Sequence, residues 1–313
     1  MGGGSFSSSA WSDYSSKVAD KSADTIYNAP KAHAAFVPSA IKVREAFDNN
    51  EHPNSTPLIL GLDVTGSMGS VLETAAKRIG VLMLDMLKRG TITDPQIASM
   101  AIGDVIAGDK YPLQFTQFES DNRCVDQLTG LHFERGGGGN DNESYSLAWI
   151  AGAYLVDSHA WTKRQKKGYL ITIGDENPTA KLSEAHIRHV FPDENLVPCP
   201  QGGIDAKTAL ELAEQKWHCF HIIVREGNHI RHHGLDFALT PWRELMGQRV
   251  IVLDDINDLS EVITSIIEVN EGRDVDDVAK SWDGSTAITV RNAVSGIVPA
   301  GTTVGDTGIV KLA

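Results

Sequence analysis

The chain has 313 residues, is 41% hydrophobic and carries 28 basic against 41 acidic side chains, for a net charge of −13. That length supports one large α/β domain with appendages, or two small domains, with enough apolar residues for a sizeable core. The acidic balance disfavours nucleic acid and anionic membrane surfaces as partners. No apolar run approaches the roughly 18 residues of a membrane span, and the three cysteines, Cys124, Cys199 and Cys219, lack paired spacing and fit reduced thiols in a cytoplasm.

The first 55 residues are rich in Ser, Gly, Ala and Asn and read as an extended arm that packs on its own domain or on a partner. The opening Met-Gly-Gly-Gly-Ser-Phe places Phe6 where a myristoylation signal wants Ser or Thr, and no secretory apolar segment follows, so neither lipidation nor secretion is expected. Leu58-Ile59-Leu60-Gly61-Leu62 is a predicted buried strand. Leu72, Ala75, Ala76, Ile79, Met83, Met86 and Leu87 then recur at helical spacing to about Arg89, with Ser70 and Glu73 as a capping box.

Further strands are predicted at Ala98 to Ile102, Leu113 to Phe118, Tyr169 to Ile173, Cys219 to Val224 and Val250 to Leu253. Helices are predicted at Glu143 to Ser158, Ser183 to Val190, Asp205 to Lys216, Pro241 to Met246 and Asp258 to Asn270. This alternation predicts an α/β fold with a mostly parallel sheet covered on both faces. Beyond Glu271 an acidic stretch precedes short β-like pieces at Ala287 to Val290, Ile297-Val298 and Ile309 to Leu312, a tail that completes the surface or adds strands to a neighbour. The chain thus divides into an arm (1–55), a main domain (56–272) and a tail (273–313).

Asp63-Val64-Thr65-Gly66-Ser67 directly follows the first strand and delivers a carboxylate and two hydroxyls from alternate positions of one turn. An all-oxygen set suits Mg²⁺, with Mn²⁺ or Ca²⁺ as substitutes, and Mg²⁺ keeps waters and a position for an outside ligand. The turn Gly174-Asp175-Glu176 also lies just past a strand, where ligands bind in such sheets. Plainer readings exist for each: a structural turn for Asp63, a helix cap for Asp175, and a first-turn acid favoured by the helix dipole for Glu143. Asp104 reads as a solvated turn residue, with a hydrogen-bonding role behind the ligands as the alternative.

His218, Cys219, His221, His229, His232 and His233 crowd one stretch, but Cys219 and His221 share one strand face while His218 takes the other. Zinc is therefore disfavoured there, and the segment from His229 to His233 reads as an exposed contact loop.

The order of strand, Asp63-x-Thr65-x-Ser67, long helix, glycine-rich loop and later strand ending in Gly174-Asp175 resembles the von Willebrand factor A (VWA) family and its metal-ion-dependent adhesion site (MIDAS), over roughly residues 56 to 272. The resemblance implies a doubly wound, Rossmann-like sheet and a bacterial or phage intracellular member. Thr65 stands where the family has its first Ser, keeping the oxygen. The family's next ligand is usually a Thr after the glycine loop. None occurs between Gly136 and Glu143, so the sequence looks like variants such as integrin β subunits with an acidic ligand there, which implies Glu143 with Asn140 or Asp141 nearby. The final acid maps to Asp175, although Ile-Gly-Asp replaces the usual Thr-Asp-Gly. Asp63, Glu143 and Asp175 around one dication leave a net negative site, which weakens capture of a partner's carboxylate unless one acid stays behind water.

The expected function is a cytoplasmic, non-enzymatic, metal-dependent protein-interaction module whose partner donates an oxygen to the ion. The resemblance implies an adaptor or assembly role of the kind played beside AAA+ ATPases of the MoxR type, and the terminal arms offer a route to oligomers. One alternative is a haloacid-dehalogenase-like phosphatase, which needs a carboxylate where Thr65 stands. Another is a structural component of a virus or large assembly.

Overall fold

The structure is a computed structural model that describes residues 29–68, 71–134 and 140–300, with the pairs 303–304 and 310–311. The first half of the predicted arm, Ser70 of the capping box and Gly136 to Gly139 lie outside the described residues.

Six strands form the central sheet: β1 (Thr56–Asp63), β2 (Pro95–Ile102), β3 (Leu113–Phe115), β4 (Gly168–Gly174), β5 (Trp217–Val224) and β6 (Val250–Leu253). Their order is β6-β5-β4-β1-β2-β3. All neighbours are parallel except β3, which pairs antiparallel with β2 at the edge. The sheet is therefore doubly wound, and the order reverses between β1 and β4. At that switch point the connections leave in opposite directions and open a crevice at the strand carboxyl ends.

Eleven helices are described: α1 (Val71–Arg89), α2 (Arg123–Thr129), α3 (Ser146–Tyr154), α4 (His159–Arg164), α5 (Glu184–Val190), α6 (Ala206–Glu214), α7 (Asn228–His233), α8 (Leu235–Met246), α9 (Leu259–Asn270), α10 (Val275–Lys280) and α11 (Gly284–Val294). Strand alternation divides the core. Leu58, Leu60 and Leu62 of β1 face a layer built with α1, α9, α10 and α11, whereas Ile59 and Leu170 face α3, α6 and α8. Helix α3 is buried along eight of its nine residues, as expected for a helix that is apolar all round.

Four readings of the sequence are corrected. The helix predicted from Glu143 begins only at Ser146, and Glu143 sits in a two-residue strand beside Asn177–Pro178. Ala287 to Val290 is helical within α11 despite its β-branched residues, because Val290, Ala293 and Val294 bury one stripe in the core. The acidic stretch before it starts α10: Asp274 accepts from the backbone N–H groups of Asp276 and Asp277 and caps the helix. Residues 228–233 form the short helix α7 rather than a loop, since its first turn is anchored as described below; Arg231, His232 and His233 are exposed as expected, whereas His229 is only 7% exposed. Part of the arm is also built in, with Arg44–Ala46 pairing parallel to Val156–Ser158.

A buried acid ties α1 to the C-terminal helices. Glu268 of α9 is 1% exposed and accepts from Arg89 Nε and Nη2, both at 2.8 Å, and pairs with Arg273 Nη1 at 2.7 Å. The Arg89 guanidinium also lies 4.1 Å from the Trp282 ring centroid. Removing Arg89 leaves the buried Glu268 with Arg273 alone and takes away the packing on Trp282, so Arg89→Ala should destabilise the chain by about 3 kcal/mol in urea unfolding.

Candidate metal centre

All eight residues of β1 are buried, and the strand hands Asp63 to the switch point with 0% exposure. The carboxylate shapes the turn that follows it. Its Oδ1 accepts from the Thr65 backbone N–H at 2.9 Å and from the Thr65 hydroxyl at 2.6 Å. Thr65 Oγ1 lies 3.1 Å from Ser67 Oγ, and the Ser67 hydroxyl donates to Asp175 Oδ1 at 2.8 Å. Four oxygens from two strands thus form one continuous chain.

Asp175, just past β4, turns its other oxygen to α7. Asp175 Oδ2 accepts from the His229 backbone N–H at 2.9 Å, while the Asn228 N–H donates to the Ser67 carbonyl at 3.0 Å. The free N–H groups at the start of α7 are thereby satisfied by the two loops of the centre. The capping role open to Asp175 from sequence is thus real, and it coexists with the Ser67 contact. Two glycines permit the approach. A Cβ on Gly174 would lie 2.0 Å from the Tyr145 hydroxyl, and one on Gly227 would lie 2.2 Å from Asp175 Oδ2.

Tyr145 and Glu176 are members that the sequence did not announce. The fully buried Tyr145 hydroxyl donates to Asp63 Oδ2 at 2.9 Å, so both oxygens of Asp63 are engaged. Its ring meets His221 and Trp242 edge-on, those two stack with centroids 3.4 Å apart, and Trp242 Nε1 donates to the Glu176 carbonyl at 2.9 Å. Adjacency to Asp175 could have flagged Glu176. Nothing local marked Tyr145.

Glu143 is 2% exposed and within electrostatic reach of Asp63 and Glu176, and its Oε2, like that of Glu176, has no hydrogen-bond partner among the described residues. Burial holds all four acids above their ordinary range, reinforced by neighbouring carboxylates at three of them: Asp63 to about 7, Glu176 to about 8 and Glu143 to about 11; at Asp175 burial alone pushes upward, against hydrogen bonds from Ser67 and the His229 N–H. Among the described residues no lysine or arginine forms a salt bridge with any of them. Asp104 is corrected from a solvated turn residue to a fully buried brace. Its oxygens accept from Asn140 Nδ2 at 2.6 Å and Ser144 Oγ at 2.8 Å, fixing the loop that carries Glu143 to the end of β2.

The donor set fits a hard dication. Successive oxygens from Asp63 through Thr65 and Ser67 to Asp175 are spaced 2.6, 3.1 and 2.8 Å. Octahedral Mg²⁺ with bonds near 2.1 Å sets neighbouring ligands about 3.0 Å apart. The orphaned carboxylate oxygens of Glu143 and Glu176 supply further acceptors. The predicted residues Asp63, Thr65, Ser67 and Asp175 are directly connected, and Glu143 joins them by burial and charge.

No family model matches the sequence, and no curated protein matches it. Solved structures of similar architecture include the pilus adhesin SpaC from Lactobacillus rhamnosus GG, at 10% identity and TM-score 0.44 over 72% of this chain and 32% of that one. Proximal thread matrix protein 1 of the mussel byssus gives 12% identity and TM-score 0.39 over 73% and 48% of the two chains. The conserved hypothetical protein BatB from Bacteroides thetaiotaomicron gives 15% identity and TM-score 0.38 over 72% and 99%. The chain spans about a third of the length of the adhesin. These are likenesses of chain architecture.

Unfolded, the Asp63 and Glu176 carboxyls titrate near 3.8 and 4.5; folded, they titrate at about 7 and about 8. Between these values the folded chain holds more protons, so its stability falls as pH rises, by about 1.4 kcal/mol per pH unit for each extra proton, and Glu143, raised to about 11, continues the fall above pH 8. Melting curves in EDTA should therefore move down between about pH 5.5 and 8.5, and Asp63→Asn should reduce the slope and raise the melting temperature at the upper end.

Proposed function

We propose that the chain is a metal-dependent protein-interaction module of VWA type, in which Asp63, Thr65, Ser67 and Asp175 hold Mg²⁺ with Glu143 and Glu176 as further acidic acceptors. The observation that carries this reading is the unbroken run of oxygens from Asp63 to Asp175 at the switch point. A bound dication would supply a positive centre and an open position for an oxygen of a protein partner. Support also comes from the charge of the centre, since four crowded carboxylates with no lysine or arginine paired to them among the described residues are stabilised by a cation. Gly66 is exposed and Ser67 half-buried, so the hydroxyl side of the cluster is the side open to a partner.

The phosphatase alternative asks Asp63 to act as a nucleophile and position 65 to supply an acid. Asp63 is fully buried with both oxygens hydrogen-bonded, and the Thr65 hydroxyl already donates to it. The chain is accordingly read as a binding protein, with Mn²⁺ or Ca²⁺ as weaker substitutes and an ATPase of the AAA+ class among the protein partners that the VWA resemblance brings in. The excess of acids makes a partner's amide, hydroxyl or carbonyl oxygen a better fit than a carboxylate.

Mg²⁺ at 100 times its dissociation constant should stabilise the native chain by about 2.7 kcal/mol. Calorimetry and melting curves should show this response in the native sequence and lose it in Asp63→Ala; equal responses in both would overturn the assignment. The double variant Thr65→Ala with Ser67→Ala should weaken both Mg²⁺ binding and Mg²⁺-dependent partner capture, while EDTA should release a partner captured by the native chain.

A further inference from the structure

Beside the oxygen cluster lies a second group of different chemistry. His229 and His233 stand one turn apart on α7, the spacing that places two side chains on the same helix face, and their ring centroids are 4.7 Å apart. Asp141 reaches them from the loop that carries Glu143, with its Oδ1 3.6 Å from His233 Nε2. One ligand atom from each of Asp141, His229 and His233 can be chosen so that all lie within 4.8 Å of one another.

Two observations separate this group from a chance surface cluster. His229 is 7% exposed, yet its Nε2 has no hydrogen-bond partner among the described residues. A buried ring nitrogen left without a partner is uncommon and points to a missing ligand. The rings are also held in place: Phe237 stacks against His233 with centroids 4.9 Å apart and lies 5.6 Å from His229. The neighbouring His232 is committed elsewhere, its Nδ1 lying 3.0 Å from the Asn228 carbonyl oxygen of its own helix.

We propose that Asp141, His229 and His233 form a second metal site, selective for a transition-metal dication of the zinc class and separate from the oxygen centre. Two imidazoles and one carboxylate are a borderline nitrogen and oxygen set, which suits zinc and its neighbours and not Mg²⁺. Closing around an ion with bonds near 2.0 Å brings the donors to about 3.3 Å apart, a contraction that side-chain rotation of the exposed Asp141 and His233 can supply.

The position gives the site a structural consequence. The same His229 whose ring offers a ligand donates its backbone N–H to Asp175 Oδ2, and Asp141 lies two residues before Glu143. The Asp141 carbonyl further accepts from the Asn177 N–H at 3.3 Å. Metal at this site therefore pins α7 to the loop of Glu143 and tightens both walls of the oxygen centre. The assignment rests on side chains that the proposed Mg²⁺ reading does not use, so either can fail alone.

The test is zinc titration calorimetry on the untagged full chain, stripped with chelator and held in excess Mg²⁺, with Co²⁺ absorption as the spectroscopic probe. One equivalent of Zn²⁺ should bind, and Co²⁺ should develop the visible bands of a low-coordinate nitrogen and oxygen site. Asp141→Ala and His233→Ala alter exposed side chains and should keep the native melting curve, yet each should weaken Zn²⁺ by on the order of tenfold or more. His232→Ala and the Thr65→Ala with Ser67→Ala double variant should leave Zn²⁺ affinity unchanged. Absence of Zn²⁺ binding by the native chain in Mg²⁺ would overturn the proposal. So would unchanged affinity in Asp141→Ala and His233→Ala, or loss of binding in the Thr65 and Ser67 double variant instead.

Discussion

Four carboxylates packed into one buried crevice, with no lysine or arginine salt-bridged to them among the described residues, are the constraint around which the molecule is arranged. Asp63 and Asp175 come from the ends of adjacent parallel strands, Glu176 follows directly, and Glu143 is brought in by the loop before α3. In water such a group would separate; here the sheet register fixes the spacing of the first two, and burial removes the solvent that would screen them. The fold accommodates this by raising the acids' affinity for protons, and the oxygen spacing matches that of neighbouring ligands about a hard dication.

Much of the surrounding structure reads as support for that crowding. Tyr145 and the Thr65 turn satisfy both oxygens of Asp63, Asp104 binds the loop of Glu143, and the start of α7 satisfies Asp175. The stacked rings of His221 and Trp242 pack edge-on against Tyr145, all three fully buried. Gly174 and Gly227 matter because any side chain there would push these groups apart. The contrast with Glu268 is instructive. That equally buried acid is held by Arg89 and Arg273, whereas among the described residues the switch-point acids have no such counterion.

Helix α7 links the two clusters of ligand-type side chains. Its backbone N–H groups face Ser67 and Asp175, and its His229 and His233 side chains face Asp141. One six-residue helix therefore touches both the hydroxyl loop and the loop of Glu143, which places this short element where a change in one cluster is felt by the other.

The sequence by itself determined an α/β fold with a mostly parallel sheet, because continuous apolar runs and helix-spaced apolar stripes are local signals that alternate along the chain, while the double winding came with the VWA resemblance. It also exposed Asp63, Thr65, Ser67 and Asp175, whose residue types stand at fixed offsets from strands. It could not decide Tyr145 or Asp104, since these meet their partners across the sheet and no local periodicity reports such contacts, and it left Glu176 unmarked beside Asp175. The histidines illustrate the limit most clearly. A run that reads as an exposed loop becomes a helix because Asp175, 54 residues earlier, accepts from its first turn, and only that helix sets His229 and His233 on one face beside Asp141. The β-branched stretch in α11 erred the same way, since burial against α9 outweighs intrinsic preference. Local chemistry chose the candidates, and long-range packing chose which of them meet.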